Sequence, residues 1–436
     1  ALPGAPQGGR QSAAPFPQRQ ILRLPHPLSA PQARWPDTSA VPCASSSNET
    51  RTAHTAAIIN RKGEKQMTTD STIEQKLQQV CKAFRIQGCF QSCEEIKVGN
   101  VNKTYRVSYL RDDGKSKSYI VQRVNTYVFK NPVQVMDNID LVTEYIHAKD
   151  PNKRALHFHH TSDRKTYVFD ENGFWRLFNY IPSNTFNTTD NLDIIRNAGE
   201  AFGEFQMLLS DFDASRLYET IPDFHDTRKR YEKLMADAQA DPHGRLAQAR
   251  AEYDWLLSVQ DQACRLTDLY RSGRLPLRVT HNDTKINNVM LDEDTDHAVC
   301  VIDLDTVMPG LVLYDFGDMV RTVTPPTEED EEDLDKVRMR MPMFQSIVEG
   351  YLAAAHGFLT QAEIDQLAFS GKLITLEIGI RFLTDYLEGD QYFKVSRPDH
   401  NLIRCRTQLK LVECIEQELP SMEQYVKRVA KGMSRK

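Results

Sequence analysis

The stretch HNDTKINNVMLD, residues 281–292, and the stretch VIDLDTVMPG, residues 301–310, decide which fold this sequence predicts. The β-like run Arg278-Val279-Thr280 leads into the first stretch, and a second β-like run, residues 298–304, overlaps the second. A strand that ends in a loop holds polar side chains at a fixed position above a packed scaffold, and catalytic residues are often found there. We therefore expect the chemistry of this protein at these two loops.

Asp283, Asn288 and Asp303 have the residue types and the order that phosphoryl transfer requires. This reaction needs a carboxylate that orients the attacking hydroxyl and accepts its proton, and oxygen ligands for the metal ion that holds the phosphates. The step from Asp283 to Asn288 matches the Asp-x4-Asn of kinase catalytic loops, so Asp283 is the predicted base and Asn288 a predicted metal ligand. Asp303 is the predicted second ligand, and a small set of hard oxygen ligands suits Mg²⁺. ATP and Mg²⁺ are the predicted cofactors.

His281 and Lys285 lie beside the predicted base. We predict that His281 braces the loop by hydrogen bonds rather than acting as a base itself. Lys285 follows Asp283 by two residues and can reach a transferring phosphate as a point charge. A solvated lysine is the alternative interpretation.

The predicted fold class is α+β, with a small antiparallel sheet in residues 67–182 and a mainly helical region in residues 183–436. A helix is predicted after Asn131-Pro132 within the sheet region. The β-like runs of this region are residues 95–98, 104–109, 118–124, 165–169 and 174–181. The helix candidates of the second region lie near residues 190–211, 225–240, 245–272, 328–356, 361–389 and 401–432. We interpret the acidic run at 328–333 as the first turn of the helix at 328–356, where acidic residues oppose the helix dipole.

Residues 1–66 are rich in Pro, Ala, Ser, Gln and Arg and show no sustained hydrophobic period. They are predicted to be a disordered, non-native leader. At Met67 the composition changes to a helical pattern, so we expect the natural start there.

Charge and composition favour a small-molecule partner. The net charge of -6 comes without a long basic stripe, which argues against nucleic acid as a partner. No apolar run approaches the roughly 20 residues that span a bilayer, so we expect no membrane segment and a cytoplasmic location. The eight cysteines are scattered, and we expect reduced thiols. The expected assembly is a monomer or a weak homodimer.

The two stretches that opened this section resemble the aminoglycoside phosphotransferase and choline kinase superfamily, and the resemblance covers nearly all of residues 67–436. Longer motifs in the same order resemble the bacterial N-acetylhexosamine 1-kinases. These motifs are AFGEFQMLLSDFDASRL (201–217), TIPDFHDT (220–227), LRVTHNDTKINN (277–288), LYDFGDMVR (313–321) and RFLTDYLEGDQYF (381–393).

The resemblance implies a bilobal protein-kinase-like fold that transfers the γ-phosphate of ATP to the anomeric hydroxyl of N-acetylglucosamine or N-acetylgalactosamine. It also implies that Asp283 is the base, and that Asn288 and Asp303 bind Mg²⁺. Arg381 and Tyr392 match positions expected to contact the sugar, and a planar guanidinium can grip hydroxyls or an N-acetyl carbonyl in a defined orientation. A surface helix arginine and a packed core or lobe-edge tyrosine are the alternatives.

The ATP site departs from the kinase pattern, because Gln122 occupies the position on the third strand where kinases usually place a phosphate-binding lysine. The loop at residues 98–104 has one glycine, so Asn102 and Thr104 are predicted to help hold phosphate. Lys103 and Arg123 are both candidates for the missing positive charge. Adenine is expected against the linker of Phe178, Asn179, Tyr180 and Ile181.

Two other functions remain open at this point. One is another small-molecule kinase of the same superfamily, acting on a different hydroxyl or on an aminoglycoside. The second is a non-catalytic binding module with a kinase-like fold, which the missing lysine suggests.

Overall fold

The structure, a computed structural model, describes residues 73–97, 101–152 and 155–434. The predicted leader at 1–66, the start at Met67 and the tip of the loop at residues 98–100 lie outside these ranges. Residues 66–436 form one unit by their contacts, and the description below concerns this unit. None of the helices in the described ranges combines the length and the apolar character that crossing a bilayer requires.

A five-stranded antiparallel sheet forms the N-terminal part, as the sequence predicts. Its strands follow the order β1-β2-β3-β5-β4. They are β1 (Cys89–Ile96), β2 (Lys103–Leu110), β3 (Ser116–Val124), β4 (Tyr167–Asp170) and β5 (Gly173–Asn179). The turn between β2 and β3 contains Gly114 at a φ of 75°, a left-handed conformation that glycine adopts without steric cost.

The two faces of the sheet have different partners. Side chains alternate along a strand, so Tyr105 of β2, Val121 of β3 and Trp175 of β5 lie on one face. That face packs against the first described helix, α1 (residues 73–83), through an apolar cluster that includes Leu77. The opposite face carries Thr104, Gln122 and Arg176 and turns toward the rest of the molecule.

The helix predicted after Asn131-Pro132 is α2 (Pro132–Lys149), with proline in its first turn, where a missing N–H costs no helical hydrogen bond. Val135, Ile139 and Val142 face the main core, at the helical spacing of the sequence. Buried Asn138 donates to the carbonyl oxygens of Tyr218 at 2.8 Å and Val307 at 2.9 Å. The side chain of Asn138 therefore joins α2 by hydrogen bonds to the part of the chain that follows the sheet.

Helices dominate the chain after the sheet. They are α3 (Leu192–Leu208), α4 (Thr227–Ala240), α5 (Arg250–Ser258), α6 (Gln260–Ala263), α7 (Arg265–Arg271), α8 (Val312–Val323), α9 (Met341–Ala355), α10 (Gln361–Ile364), α11 (Leu367–Leu387) and α12 (His400–Met433). The connection between Asn179 and Leu192 contains the predicted boundary near residue 182. Almost every residue of α11 is buried, so this helix forms the centre of the C-terminal core.

A short antiparallel strand pair and, between its two strands in the chain, a short hairpin carry the two decisive stretches. β6 (Arg278–Thr280) pairs with β9 (Met308–Gly310), and β7 (Val289–Leu291) pairs with β8 (Ala298–Val301). The loop at 281–288 thus connects β6 to β7, and the segment at 302–307 connects β8 to β9. This arrangement confirms the expectation that both motifs follow strands.

Three helix predictions need correction. The pattern at 245–272 forms three short helices, and the pattern at 361–389 divides into α10 and α11. The helix predicted at 328–356 is wrong over its first half, because α9 begins only at Met341. Pro342 lies in the first turn of α9, whereas inside a longer helix it would remove a hydrogen bond and clash with the preceding turn.

The acidic run at 328–333 therefore caps no α-helix. Its carboxylates bind side chains instead: Glu329 forms an ion pair with Arg321 at 2.8 Å, and Asp330 Oδ2 lies at hydrogen-bond distance, 2.9 Å, from His400 Nε2. The run ties α8 and the start of α12 together through side chains.

Candidate active site

The backbone of the loop at 281–288 is fixed by one buried carboxylate. Asp315, on α8, accepts hydrogen bonds from the amides of His281 at 2.9 Å and Asn282 at 2.7 Å. Gln206 of α3 donates to the same carboxylate at 2.7 Å. Asn282 takes a φ of 64°, in the left-handed region that asparagine tolerates better than most residues. The turn that presents Asp283 is thus held in place from the core.

His281 is fully buried and braces the loop. Its Nε2 lies 2.8 Å from the carbonyl oxygen of Ile302, and its Nδ1 lies 3.2 Å from the amide nitrogen of Asp283. Since a backbone amide can only donate, Nδ1 accepts and Nε2 carries the proton in this network. With both nitrogens used by the backbone, the arrangement is the one predicted for a bracing residue.

Asp283 is surrounded by groups that favour its ionised form. Lys285 Nζ lies 2.8 Å from Asp283 Oδ1, and Asn288 Nδ2 donates to Asp283 Oδ2 at 3.0 Å. Burial acts to raise the pKa of Asp283, but the ammonium group of Lys285 and the hydrogen bond from Asn288 outweigh it, so the pKa lies below its usual range. The side chain of Asp283 still exposes 27% of its surface, so the hydroxyl group of a substrate can reach it.

Asn288 and Asp303 come together where β7 runs beside β8. The amide of Ile302 donates to the carbonyl oxygen of Asn288 at 2.9 Å, which places Asn288 next to the start of the segment that carries Asp303. Asn288 uses its side-chain nitrogen on Asp283, so its Oδ1 remains the group free to bind a metal ion.

Asp303 adopts a left-handed conformation, with φ of 60° and ψ of 56°, at the end of the second hairpin strand. The low polarity of its surroundings, with Asp305 and Asp283 nearby, raises its pKa to about 6. Of the described residues, none donates a hydrogen bond to this carboxylate. An amide oxygen and an unpaired carboxylate in an acidic setting fit a Mg²⁺ ion.

A buried network lies between the sheet and this segment. Arg176, on β5, forms an ion pair with Asp305 and donates through Nε to Gln122 Oε1 at 2.9 Å. Gln122 Nε2 donates to Thr104 Oγ1 at 3.0 Å, and Asn102 Nδ2 donates to Asp305 Oδ2 at 2.7 Å. The structure therefore brings together the three predicted phosphate-site residues of the sheet with an arginine and an aspartate that the sequence reasoning missed.

Lys103 and Arg123 lie on the other face of the sheet. The two residues are paired in register, one position before Thr104 and one after Gln122. The guanidinium of Arg123 lies 5.9 Å from the ring centre of Trp175, within the face that packs on α1. Neither residue supplies the missing cation on the face that bears Gln122.

The linker expected to hold adenine follows the end of β5. The amides of Asn179 and Tyr180 already donate to the carbonyl oxygens of His157 and Ser118, both at 3.3 Å. Among the described residues, no acceptor is recorded for the amide of Ile181. The ring of Phe178 packs on Phe158 with ring centres 5.0 Å apart, so this side chain is part of the core.

Arg381 and Tyr392 also come together, on α11 and in the turn that follows it. The guanidinium of Arg381 lies 4.8 Å from the ring centre of Phe224 and 5.6 Å from those of Tyr392 and Phe393. The described residues provide no hydrogen-bond acceptor for this guanidinium. Tyr392 is 62% exposed, which rules out the interpretation as a packed core tyrosine.

Buried Asp385 shapes the turn that presents Tyr392. Its carboxylate accepts from the amides of Gln391 at 2.8 Å, Tyr392 at 2.7 Å and Phe393 at 2.9 Å. Asp385 lies inside the motif at 381–393, but the sequence alone did not indicate a role for it. The feature of the sequence that could have indicated this role is the position of Asp385 shortly before the turn at Gly389-Asp390.

A cavity of about 390 Å³ lies beside the loop at 281–288. Asn282, His225 and Tyr314 line it, together with residues of α7 and β9. Phe224, the ring on which the guanidinium of Arg381 stacks, lines it as well, so the cavity extends from Asn282 toward Arg381.

Comparisons with known proteins show the family of this chain and the fold that it shares. A model of the phosphotransferase enzyme family matches residues 92–345, more than half of the chain. Among solved structures, an aminoglycoside phosphotransferase from Alicyclobacillus acidocaldarius matches with a TM-score of 0.51 and 12% identity, over 80% of this chain and 96% of that chain. A microcompartment-associated aminopropanol kinase matches with a TM-score of 0.52 and 18% identity, over 76% and 93%.

An amicoumacin kinase solved with AMP-PNP and Ca²⁺ matches with a TM-score of 0.50 and 14% identity, over 77% of this chain and 93% of that chain. Identities this low show the fold alone. Together with the observed sheet and helices, they confirm the predicted α+β kinase-like fold.

Proposed function

Because the chain belongs to the phosphotransferase enzyme family, we propose that it is an ATP- and Mg²⁺-dependent kinase that phosphorylates the anomeric hydroxyl of an N-acetylhexosamine. The observation that carries the proposal is the arrangement of Asp283, Lys285 and Asn288 beside Asp303. A carboxylate held ionised next to a lysine and two oxygen ligands provides the base, the cation and the metal ligands that phosphoryl transfer requires.

Asp283 is the base in this reaction. Its carboxylate accepts the proton of the acceptor hydroxyl as that oxygen forms a bond to the γ-phosphorus of ATP. The bond between that phosphorus and the β,γ-bridging oxygen breaks, and ADP leaves with the electron pair. Lys285, 2.8 Å from Asp283, lies close enough to balance charge on the transferring group. Asn288 keeps the carboxylate oriented through Nδ2.

Asn288 Oδ1 and the carboxylate of Asp303 are the proposed ligands of Mg²⁺. When bound, this ion neutralises phosphate charge and stabilises the charge that develops during transfer.

ATP would lie between the sheet and the two loops. Thr104, Gln122 and Asn102 border the phosphate end, and the linker from Phe178 to Ile181 borders the adenine end. Since the amides of Asn179 and Tyr180 are already used, the amide of Ile181 is the proposed donor to the adenine edge.

Arg381 and Tyr392 are the proposed sugar contacts. Aromatic rings hold the guanidinium without using its N–H groups, so those donors remain available for hydroxyl or N-acetyl oxygens. The exposed ring of Tyr392 offers an apolar face of the kind that packs on a pyranose.

A substrate panel tests this proposal. ATP consumption is measured with N-acetylglucosamine, N-acetylgalactosamine, glucosamine, galactose and an aminoglycoside, and reducing ends are assayed afterwards. We expect turnover of at least one N-acetylhexosamine with loss of its reducing end. Asp283→Asn should lower turnover by about a hundredfold or more. Turnover only with the aminoglycoside, or with none of the five, would contradict the proposal.

A further inference from the structure

Arg176 is a buried cation in the face of the sheet that lines the proposed ATP site. It lies in the middle of β5 and pairs in register with Gln122 of β3. Only 2% of its surface is exposed. An arginine is rarely buried to this extent unless its charge is paired and its N–H groups are bonded.

Two nitrogen atoms of the guanidinium, Nε and Nη1, bind different residues of the proposed site. Nε donates to Gln122 Oε1 at 2.9 Å, which forces the NH₂ group of that amide to point away from Arg176. The NH₂ group reaches Thr104 Oγ1 with one hydrogen, at 3.0 Å, and keeps a second hydrogen for another acceptor. Arg176 therefore decides that Gln122 presents a donor rather than an acceptor.

The other end of the guanidinium reaches the segment that carries a proposed Mg²⁺ ligand. Nη1 pairs with Asp305 Oδ1, and Asp305 lies two residues after Asp303. The second carboxylate oxygen of Asp305 accepts from Asn102 at 2.7 Å. Asn102 Oδ1 in turn accepts from the amide of Asn125 at 3.0 Å. One ion pair thus joins the strands of the sheet to the loop after β8.

No other cation of the described sheet strands takes this place. Lys103 and Arg123 lie on the opposite face. Arg106 shares the face of Thr104, but its guanidinium stacks on Tyr180, 4.1 Å from the ring centre, at the proposed adenine end.

We propose that Arg176 is a positioning residue that replaces the lysine absent at position 122. It fixes the amide of Gln122 as a donor to the nucleotide phosphates, and it fixes Asp305, and with it the segment of Asp303, against the sheet. This inference rests on the proposed function, since it requires the nucleotide to bind on this face.

Four variants test it: Arg176→Met, Gln122→Met, the double variant Arg176→Met/Gln122→Lys, and the control Arg123→Met. MgATP binding is measured by calorimetry in the absence of acceptor, and the melting temperature is recorded for each protein. We expect Arg176→Met and Gln122→Met each to weaken MgATP binding by about tenfold or more. The control should stay within about twofold of wild type.

The double variant tests whether a cation at position 122 recovers MgATP affinity, and Gln122→Met is the readout that a merely structural role of the ion pair would not move. A lysine at position 122 lies on the same face and can pair with Asp305 while pointing an ammonium group at the phosphates. We expect it to recover most of the MgATP affinity lost in Arg176→Met. Equal weakening in Arg176→Met and in the double variant would overturn the inference.

Breaking a buried ion pair can unfold a protein. Gln122→Met covers that case, because it leaves the pair of Arg176 with Asp305 intact and removes only the amide. Wild-type affinity in Gln122→Met would overturn the inference. A wild-type protein that binds no MgATP would instead overturn the proposed function on which the inference rests.

Discussion

The guanidinium of Arg381 stacks on aromatic rings and donates no hydrogen bond to a described residue. Cation–π contacts position the guanidinium while they leave its planar set of donors unused. This is a favourable state in which to receive a sugar, because no internal hydrogen bond must break before one forms to the ligand.

Arg381→Lys is the substitution that separates charge from geometry. A lysine keeps the positive charge but loses the planar donor set, so we expect the KM for the sugar to rise by about tenfold while the KM for ATP stays near its wild-type value. Steady-state kinetics with each substrate varied measures both constants. A rise in the KM for ATP alone would place Arg381 at the wrong end of the site.

Glu377, one helical turn before Arg381, is a buried carboxylate whose charge is stabilised by cations and hydrogen bonds. It lies 2.7 Å from His225 Nδ1 and accepts from Thr227 Oγ1 at 3.2 Å. Burial acts to raise the pKa of Glu377, but His225, Arg230 and Arg381 outweigh it, and the pKa is lowered. A carboxyl group with a lowered pKa stabilises the fold above its unfolded pKa, about 4.3, and loses that contribution as the pH falls through the folded pKa.

Glu377→Gln should therefore destabilise the protein near neutral pH, and this destabilisation should decrease in acid. We expect the difference in free energy of unfolding from wild type to shrink as the pH falls below about 4. Urea unfolding at a series of pH values measures it. A difference that grows as the pH falls below about 4 would show the opposite sign of linkage.

At the scale of the element, the turn after α11 depends on Asp385. Its three backbone hydrogen bonds fix residues 391–393 and hence the place of Tyr392. Asp385→Asn replaces one acceptor oxygen with a donor, so at least one amide loses its partner. We expect a several-fold rise in the KM for the sugar with little change for ATP, measured by the same kinetics.

Asp399→Asn is the matched control for that turn. Asp399 precedes α12 and is exposed, and its side chain makes no cap hydrogen bond. We expect its kinetics to match wild type. An equal effect in both variants would show that the turn does not respond to Asp385 in particular.

The packing of α3 on α9 depends on a glycine. A Cβ atom at Gly350 would lie 1.9 Å from the carbonyl oxygen of Arg196, a backbone atom that cannot move aside without shifting α3. We expect Gly350→Ala to lower the free energy of unfolding by about 1–3 kcal/mol or more, the usual cost of overpacking. Gly357→Ala, where no atom lies within 4 Å of the new Cβ, should change it by less than about 1 kcal/mol. Urea unfolding of both variants checks the contrast.

The elements also show what the sequence could and could not predict. α2 and the strands β2 and β3 followed from periodicity because the apolar positions of α2 face the main core and those of the two strands face the cluster with α1. The late start of α9 could have been predicted from Pro342. Even the orientation of Arg123 away from Gln122 follows from alternation along a strand. The partner of Arg176 could not be predicted, because it depends on the register between β3 and β5 and on a loop more than a hundred residues away.

At the scale of the whole molecule, the proposed site is assembled from both parts of the chain. The sheet contributes Thr104 and Gln122, the loops at 281–288 and 302–307 contribute Asp283 and Asp303, and α11 contributes Arg381. The sequence motifs predicted that the two loops lie together, since each follows a short strand. Contacts between the N-terminal part and these loops, such as Asn102 with Asp305, required the structure.

The position of the phosphate on the product tests the central claim most directly. Wild-type protein is incubated with MgATP and N-acetylglucosamine or N-acetylgalactosamine, and the product is examined by phosphorus–proton correlation NMR, with Asp283→Asn as the blank. The account predicts that the new phosphorus signal couples to the anomeric proton H-1. A phosphorus signal coupled to a proton at any other carbon, or no product from either sugar, would contradict it.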